Sequence, residues 1–145
     1  MALILPIPFG SPEYDELVGL RIDVLRKPLG LEFSLDFLAK EYKDVHLAAY
    51  SDAMYLLGGL ILSETDDPKT VQMRQVAVRE TLQRQGIGRL LVAEAERHAQ
   101  RKGYTKMTLH ARVTAVPFYL QQQYTVCSDE YIEVGIPHFS MYKNL

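Results

Sequence analysis

Cysteine, tryptophan and a strong charge of either sign are scarce or missing in this sequence of 145 residues. The single cysteine, Cys127, excludes a disulfide within the chain, so nothing points to an oxidising compartment. We expect Cys127 to be a small core side chain rather than a nucleophile. The formal net charge of −2 provides no general basic surface, so we expect no nucleic-acid partner.

Long apolar runs are missing as well. The opening MALILPIPFG is apolar but too short to span a membrane, and it lacks the basic start and the cleavage site of a signal peptide. We therefore expect a cytoplasmic protein with no membrane partner. The length and the apolar fraction of 48% suit one domain over residues 1–145 with a single sizeable core.

Residues 71–103 are the most informative part of the chain, because a strand, a glycine loop and a helix follow one another there. Alternation predicts a strand over Val71–Val78, and a change of apolar phase midway predicts a bulge near Gln75. Lys106–Val113 also alternates and follows the helix, so it should lie parallel to the first strand. The bulge would splay this pair and open a wedge between the two strands.

Two glycines stand where the helix of this stretch begins. Gly86 and Gly88 allow a close backbone approach and leave the amides of the first helical turn unpaired. These amides and the helix dipole form an anion site, to which Arg84 and Arg89 add charge. The helix should end at Lys102-Gly103, a cation followed by a glycine.

Turn residues and periodicity predict the remaining elements. Ser11 and Pro12 mark the start of the first helix, and Gly58-Gly59 indicates a bulge or a tightly packed place inside a strand. The predicted ranges are strands over 2–7, 45–50, 55–63, 125–134 and 138–142, and helices over 13–25, 35–42 and 114–123.

The glycine loop carries a resemblance to a known family. Gln83, Gly86 and Gly88 match the Q/R-x-x-G-x-G/A signature, V-A-V ends a strand before it, and Phe118-Tyr119 lies downstream. The chain thus resembles the GCN5-related N-acetyltransferases, the GNAT superfamily. The resemblance implies an α/β fold with a mixed, mainly antiparallel sheet of about seven strands. A splayed parallel pair lies at its centre and helices cover both faces.

Acetyl-coenzyme A is the co-substrate that the resemblance implies, and no metal is implied. An extended ligand with amide groups can pair with strand edges exposed in a wedge, and the pantetheine arm is such a ligand. By resemblance, Val76, Ala77 and Val78 would take this arm. The residues around the pyrophosphate would be Arg84, Gln85, Gly86, Ile87, Gly88 and Arg89.

The implied reaction is direct acetyl transfer to a primary amine of a small molecule or a protein. Tyr119 aligns with the family's general acid, and a phenol is well matched to a leaving thiolate; alternatively, Phe118-Tyr119 is an aromatic anchor. The glutamate that many relatives carry on the central strand is missing, since residues 73–75 are Met-Arg-Gln. His110, Glu64 or solvent remains as the base, and His110 is alternatively a hydrogen-bonded core histidine.

Residues near both ends of the chain resemble a GNAT subgroup that includes ElaA and YjcF-like proteins. The subgroup shares the ending G-I-P-H-x-x-M and an arginine-rich turn after the first helix. By this resemblance Arg21, Arg26, Glu133 and His138 would line the acceptor pocket, favouring an acceptor with a carboxylate or phosphate. The alternative is a solvated helix face and a histidine in a turn. Arg112 stands where the family often has asparagine.

A rival function from another class stays open. A domain can keep the fold and bind coenzyme A as a sensor or interaction module without turnover, and the missing strand glutamate keeps this alternative open. Relatives often pair through late strands, so the resemblance also implies a homodimer.

Overall fold

The computed structural model describes residues 2–31 and 34–145. Eight strands form one mixed sheet of order β1-β2-β3-β4-β5-β8-β6, and β7 also pairs with β8. The strands are β1 (Leu3–Ile7), β2 (Val45–Tyr50), β3 (Leu56–Glu64), β4 (Thr70–Val78), β5 (Lys106–Arg112), β6 (Thr125–Val126), β7 (Tyr131–Glu133) and β8 (Ile136–Asn144). The helices are α1 (Pro12–Arg21), α2 (Leu35–Ala39), α3 (Ile87–Arg101) and α4 (Val116–Gln121).

Helices cover both faces of this sheet, as predicted. Helix α1 packs on one face through Leu17 and Leu20, against residues of β1, β2 and β3. Helix α3 packs on the other face, where Leu91 and Ala95 join a larger core with side chains of β4, β5 and β8. None of the helices in the described ranges is long and apolar enough to cross a membrane.

The first helix departs from its predicted range. Ser11 caps it by accepting a hydrogen bond of 3.1 Å from the Tyr14 amide, and Pro12 follows at the first helical position. The α-helical hydrogen bonding ends at Arg21 and gives way to a π-helical turn over Ile22–Arg26. A π turn widens the helix locally and often occurs at functional sites.

Two other predictions need correction at the end of the chain. Residues 125–134 do not form one strand, because a loop separates β6 from β7, so the described sheet has eight strands where about seven were expected. Cys127 lies in that loop and is exposed, so the prediction of a core cysteine is wrong. The loop lies at the edge of the sheet, where a side chain has no core to pack into. Its position depends on the pairing of β6 and β7 with β8.

The predicted bulge in β4 is present at Gln75, whose φ is 55°. Gly59 pairs with Ala77 and Ile61 with Arg74, so β4 uses one residue more than β3 over this interval. The flanking backbones approach closely, since a Cβ on Gly58 would lie 2.6 Å from the Ala77 carbonyl oxygen. A side chain at this glycine would therefore push the two strands apart.

The parallel pairing of β4 with β5 covers only the start of each strand. It runs from Thr70 opposite Lys106 to Gln72 opposite Thr108. Beyond that point β4 continues to pair with β3, while β5 continues to pair with β8 as far as Arg112. The two strands therefore diverge after Gln72, as predicted, and the space between them is the base of a cleft.

Candidate active site in the cleft between β4 and β5

The cleft between the diverging strands has a volume of about 1420 Å³. At one end it reaches the glycine loop and the start of α3, and at the other it reaches the π turn and α2. Strands β4 and β5 form its floor, and α4 contributes Phe118 and Tyr119 to one wall. A cleft of this size, open between two strands, suits an extended ligand.

The start of α3 is prepared to bind an anion. Gly86 is the N-cap, with a φ of 86°, and no side chain in the described ranges caps the helix. The Leu90 amide donates to the Gly86 carbonyl at 3.1 Å, so the helical ladder begins only after the first turn. The amides of that turn, together with the helix dipole, attract negative charge. Arg84 and Arg89 lie beside them.

Two contacts fix this loop in place. The Gln83 side chain donates a hydrogen bond of 3.1 Å to the Val78 carbonyl, which ties the loop to the end of β4. Gly88 lies against α4, since a Cβ there would be 3.3 Å from the Phe118 ring. Glycine inside a helix costs about 1 kcal/mol relative to alanine. Glycine at position 88 therefore lowers helix stability slightly but leaves room for the Phe118 ring.

The structure places most of the proposed coenzyme-binding residues along the cleft. Seven of them line it directly: Val76, Val78, Arg84, Gln85, Gly86, Gly88 and Arg89. The side chains of Ala77 and Ile87 face elsewhere, because Ala77 is buried and Ile87 packs against the core beneath α3. Only backbone atoms of these two residues remain to face a ligand.

Tyr119 lies on the wall of the cleft with 8% of its surface exposed. Its ring packs edge to face with Phe118 and Tyr124, at centroid distances of 5.0 and 5.9 Å. It is thus also part of the core, as the aromatic-anchor alternative predicts. Burial raises the pKa of the Tyr119 phenol, so the hydroxyl is protonated in the neutral range but is a weaker acid than a free phenol.

An acidic side chain connects two histidines on the opposite side of the cleft. His110 Nδ1 lies 2.9 Å from Glu133 Oε1, and His138 Nε2 lies 3.6 Å from Glu133 Oε2. A carboxylate accepts a proton donor, so in a neutral His110 the hydrogen belongs on Nδ1, and Nε2 carries a free lone pair. His138 is fixed from its other side, since its Nδ1 lies 2.8 Å from the Ile136 carbonyl.

Arg21 does not line the cleft, contrary to the expectation for the acceptor pocket. Its side chain is fully buried and donates two hydrogen bonds to Glu41, at 2.8 and 2.7 Å. The Tyr14 hydroxyl donates to the same carboxylate at 2.8 Å. Arg21 lies on the inner face of α1, where this ion pair joins the helix to the segment before β2. A solvated helix face, the alternative, is therefore also wrong for Arg21.

The remaining residues predicted for the acceptor pocket lie apart from Glu64, which was predicted only as a possible base. Arg26, Glu133 and His138 line the cleft, as the resemblance implies. Glu64, one of the three base candidates, is exposed at the end of β3 and borders a different, smaller hollow. It lies opposite Val71, where β4 and β5 are still paired, so it cannot serve a reaction in the cleft.

Sequence reasoning gave no acceptor role to three further residues of this cleft. Phe37 of α2 lies 5.6 Å from Arg26 Cζ and 5.8 Å from Arg74 Cζ, measured to the ring centroid. Arg112 donates a hydrogen bond of 2.8 Å to the Leu25 carbonyl. One signal was available, because alternation places Arg112 on the same face of β5 as His110.

A family model described as an acetyltransferase (GNAT) domain matches residues 32–145 of this chain. Among the curated relatives, YjcF of Bacillus subtilis, an uncharacterized N-acetyltransferase, is 31% identical over 74 residues. That match covers 50% of this chain and 53% of YjcF. The chain thus spans about half the length of the curated relatives that it matches first.

Solved structures share the fold over nearly the whole chain. A Lactobacillus plantarum protein superimposes with a TM-score of 0.85 at 26% identity, covering 99% of this chain and 98% of that one. Escherichia coli ElaA gives 0.81 at 18%, covering 99% of both chains. A Bacillus subtilis acetyltransferase in complex with CoA gives 0.77 at 21%, covering 100% of this chain and 99% of that one. The family match and the shared fold show that this chain belongs to the GNAT acetyltransferase family.

Proposed function

We propose that the protein is an acetyl-coenzyme A-dependent N-acetyltransferase, which transfers the acetyl group directly to a primary amine. The observation that carries this proposal is the wedge between β4 and β5, which opens onto the uncapped start of α3 at Gly86. The fold relatives include proteins solved with CoA or with acetyl-CoA bound. Membership of the family supports an amine acceptor.

The residues of the cleft fit the coenzyme. Backbone groups of Val76–Val78 lie where β4 has left β5, so an amide-containing arm can pair with them as a further strand would. At the end of this wall, the first turn of α3 offers unpaired amides to a pyrophosphate, and Arg84 and Arg89 add full charges. The positive φ of Gly86 brings the backbone close to such a ligand without a side chain in the way.

Tyr119 would act as the general acid. Bound acetyl-coenzyme A supplies a thioester, and transfer joins the acceptor nitrogen to the acetyl carbon, while the sulfur leaves and takes up a proton. The Tyr119 hydroxyl is protonated in the neutral range and can donate that proton, and contact with the developing thiolate would offset the acidity that burial removes. A phenol surrounded by aromatic rings also has little freedom to turn away, which favours a fixed direction of proton transfer.

His110 would act as the general base in place of the missing strand glutamate. The hydrogen bond to Glu133 places the proton of a neutral imidazole on Nδ1 and leaves Nε2 to accept one, directly or through water, from the acceptor amine. Glu133 also stabilises the imidazolium that forms, as a carboxylate beside a catalytic histidine does. Glu133 is therefore a positioning residue in this proposal.

Calorimetric titration and a thiol-release assay test the proposal together. We expect Gly88→Val to weaken acetyl-coenzyme A binding by about 10-fold or more, because the side chain would meet Phe118 and obstruct the loop. Gly19→Val is the matched control, since a Cβ on Gly19 meets nothing within 4 Å. Equal affinity in wild type and Gly88→Val would contradict the loop assignment. Tight coenzyme binding with no thiol release on any amine would favour the sensor.

A further inference from the structure

Three arginine side chains come together at the acceptor end of the cleft. Arg26 belongs to the π turn, Arg74 to β4 just before the bulge, and Arg112 to the end of β5, and all three line the cleft. Arg26 and Arg74 both lie within 6 Å of the Phe37 ring. Three separate elements therefore bring guanidinium groups to this end of the cleft, and two of these groups lie over one aromatic ring.

These arginines are held in place rather than extended into solvent. Arg112 donates a hydrogen bond of 2.8 Å across the cleft to the carbonyl of Leu25, the residue before Arg26. This bond fixes the π turn over β5. Arg74 donates to the Ser63 hydroxyl at 3.3 Å and lies 4.0 Å from the Asp44 carboxylate. A guanidinium that is already positioned loses little conformational entropy when it binds a ligand.

Positive charges lie close together at this end of the cleft. Asp44 lies beside Arg74, and Glu133 contacts two histidines and also acts on the charge of Arg26. Burial lowers the pKa of Arg26, and the positive charges of Arg21, Arg112 and Arg74 lower it further. An anion entering this region would relieve that repulsion.

The geometry assigns the acceptor to one chemical class: a small amine that also bears a carboxylate or a phosphate. Its anionic group would contact Arg26 and Arg74 beside Phe37, and its amino group would face His110. This inference rests on the proposed acetyl transfer, because the same cleft must hold both substrates. Arg112 acts as a positioning residue here, through its hydrogen bond to the π turn.

A panel of short amines tests this assignment in the thiol-release assay. The panel is β-alanine and phosphoethanolamine, which differ in the source of the anion, with neutral ethanolamine and cationic cadaverine. We expect kcat/KM for at least one anionic amine to exceed that for ethanolamine by about 10-fold or more, since hydrogen bonds between charged groups are the strong ones. Preference for one anionic amine over the other identifies the anion as carboxylate or phosphate.

Charge-removing variants assign the preference to the arginines. Arg26→Gln and Arg74→Gln should raise KM for the anionic amine by about 10-fold. They should change KM for ethanolamine and the affinity for acetyl-coenzyme A little. Arg97→Gln is the matched control, because Arg97 lies exposed on α3 and pairs only locally, with Glu94. It should leave all of these values unchanged.

The two proposals fail in different ways. Thiol release that is as fast with ethanolamine, cadaverine or a lysine peptide as with the anionic amines would overturn the acceptor assignment, while acetyl transfer would stand. If no amine reacts, acetyl transfer fails, and calorimetry with β-alanine and phosphoethanolamine on the coenzyme-loaded protein decides the anion site. Binding that is lost in Arg26→Gln and Arg74→Gln supports this site, and binding that neither variant alters overturns it.

Discussion

The buried ion pair between Arg21 and Glu41 provides a sharp test of how the acceptor side is supported. We consider Glu41→Gln, which keeps the shape of the side chain but removes its charge. Arg21 is fully buried and Glu41 nearly so, and two hydrogen bonds join them. In the variant a guanidinium remains buried opposite a neutral amide, which retains one acceptor oxygen but turns an NH₂ group toward Arg21.

The size of the effect follows from removing the carboxylate charge opposite Arg21. Breaking a buried ion pair by removing one partner costs about 3 to 5 kcal/mol. We expect the lower end, about 3 kcal/mol, because the remaining amide oxygen can still accept a hydrogen bond. A domain of this size is stable by about 5 to 15 kcal/mol, so Glu41→Gln should fold but lose a large part of its stability. Removing both charges in Arg21→Met/Glu41→Met should restore some of the loss.

Urea unfolding followed by circular dichroism measures this difference. With a slope of about 1 to 3 kcal/mol per molar urea, the midpoint should fall by roughly 1 to 3 M. Glu130→Gln, a change at an exposed carboxylate, serves as the control and should stay within about 0.5 kcal/mol of wild type. A Glu41→Gln midpoint that matches the control would refute the argument, and so would a double variant less stable than Glu41→Gln.

The same pair gives a pH dependence with a definite sign. Burial alone would raise the pKa of Glu41, but the hydrogen bonds and charge of Arg21, joined by the Tyr14 hydroxyl, outweigh it and lower the pKa. A carboxylate whose pKa is lowered by folding stabilises the folded state above its unfolded pKa of about 4.3. The contribution disappears as the pH falls through the folded pKa. The stability gap between wild type and Glu41→Gln should therefore be full near pH 7 and shrink at strongly acidic pH.

Three further predictions concern the proposed acid, the proposed base and the residue that positions the base. Tyr119→Phe should lower kcat by about 10²-fold or more while changing the affinity for acetyl-coenzyme A little, as single-turnover kinetics and calorimetry would show; an unaltered kcat would remove its role as acid. His110→Ala should lower kcat similarly, and added imidazole should partly restore it. Glu133→Gln should slow turnover without imidazole rescue, because the histidine itself remains. Rescue absent in His110→Ala would leave the base unassigned.

The floor of the cleft could be predicted from the sequence because local patterns determine it. The change of apolar phase along 71–78 predicted the bulge, and the structure has it at Gln75 with one extra residue in β4. The single helix between the two strands predicted that β4 and β5 are parallel. The bulge predicted that they diverge. The glycines at 86 and 88 marked the start of α3. The bulge and the helix start depend on residues close together in the chain, and the parallel pairing follows from the strand-helix-strand order.

The contacts between distant segments could not be predicted in this way. Arg21 and Glu41 are both charged, and nothing local indicates that they bury each other rather than face solvent. Whether an arginine of α1 lines the cleft depends on the helical phase at which the α-helix becomes a π turn. Likewise, the exposure of Cys127 depends on where β8 pairs with β6 and β7.

The missing glutamate of the central strand is a local sequence feature whose structural consequence depends on contacts between distant segments. Arg74 and Gln75 occupy that part of β4, so a carboxylate near the proposed acceptor site would have to come from another element. Strand β7 supplies Glu133, because β7 and β5 pair with opposite edges of the same end of β8, which brings Glu133 to His110. Arg74 occupies this place on β4 and contacts the Ser63 hydroxyl at 3.3 Å and the Asp44 carboxylate at 4.0 Å. The proposed base His110 and the proposed anion contact Arg74 therefore project from different strands into the same cleft.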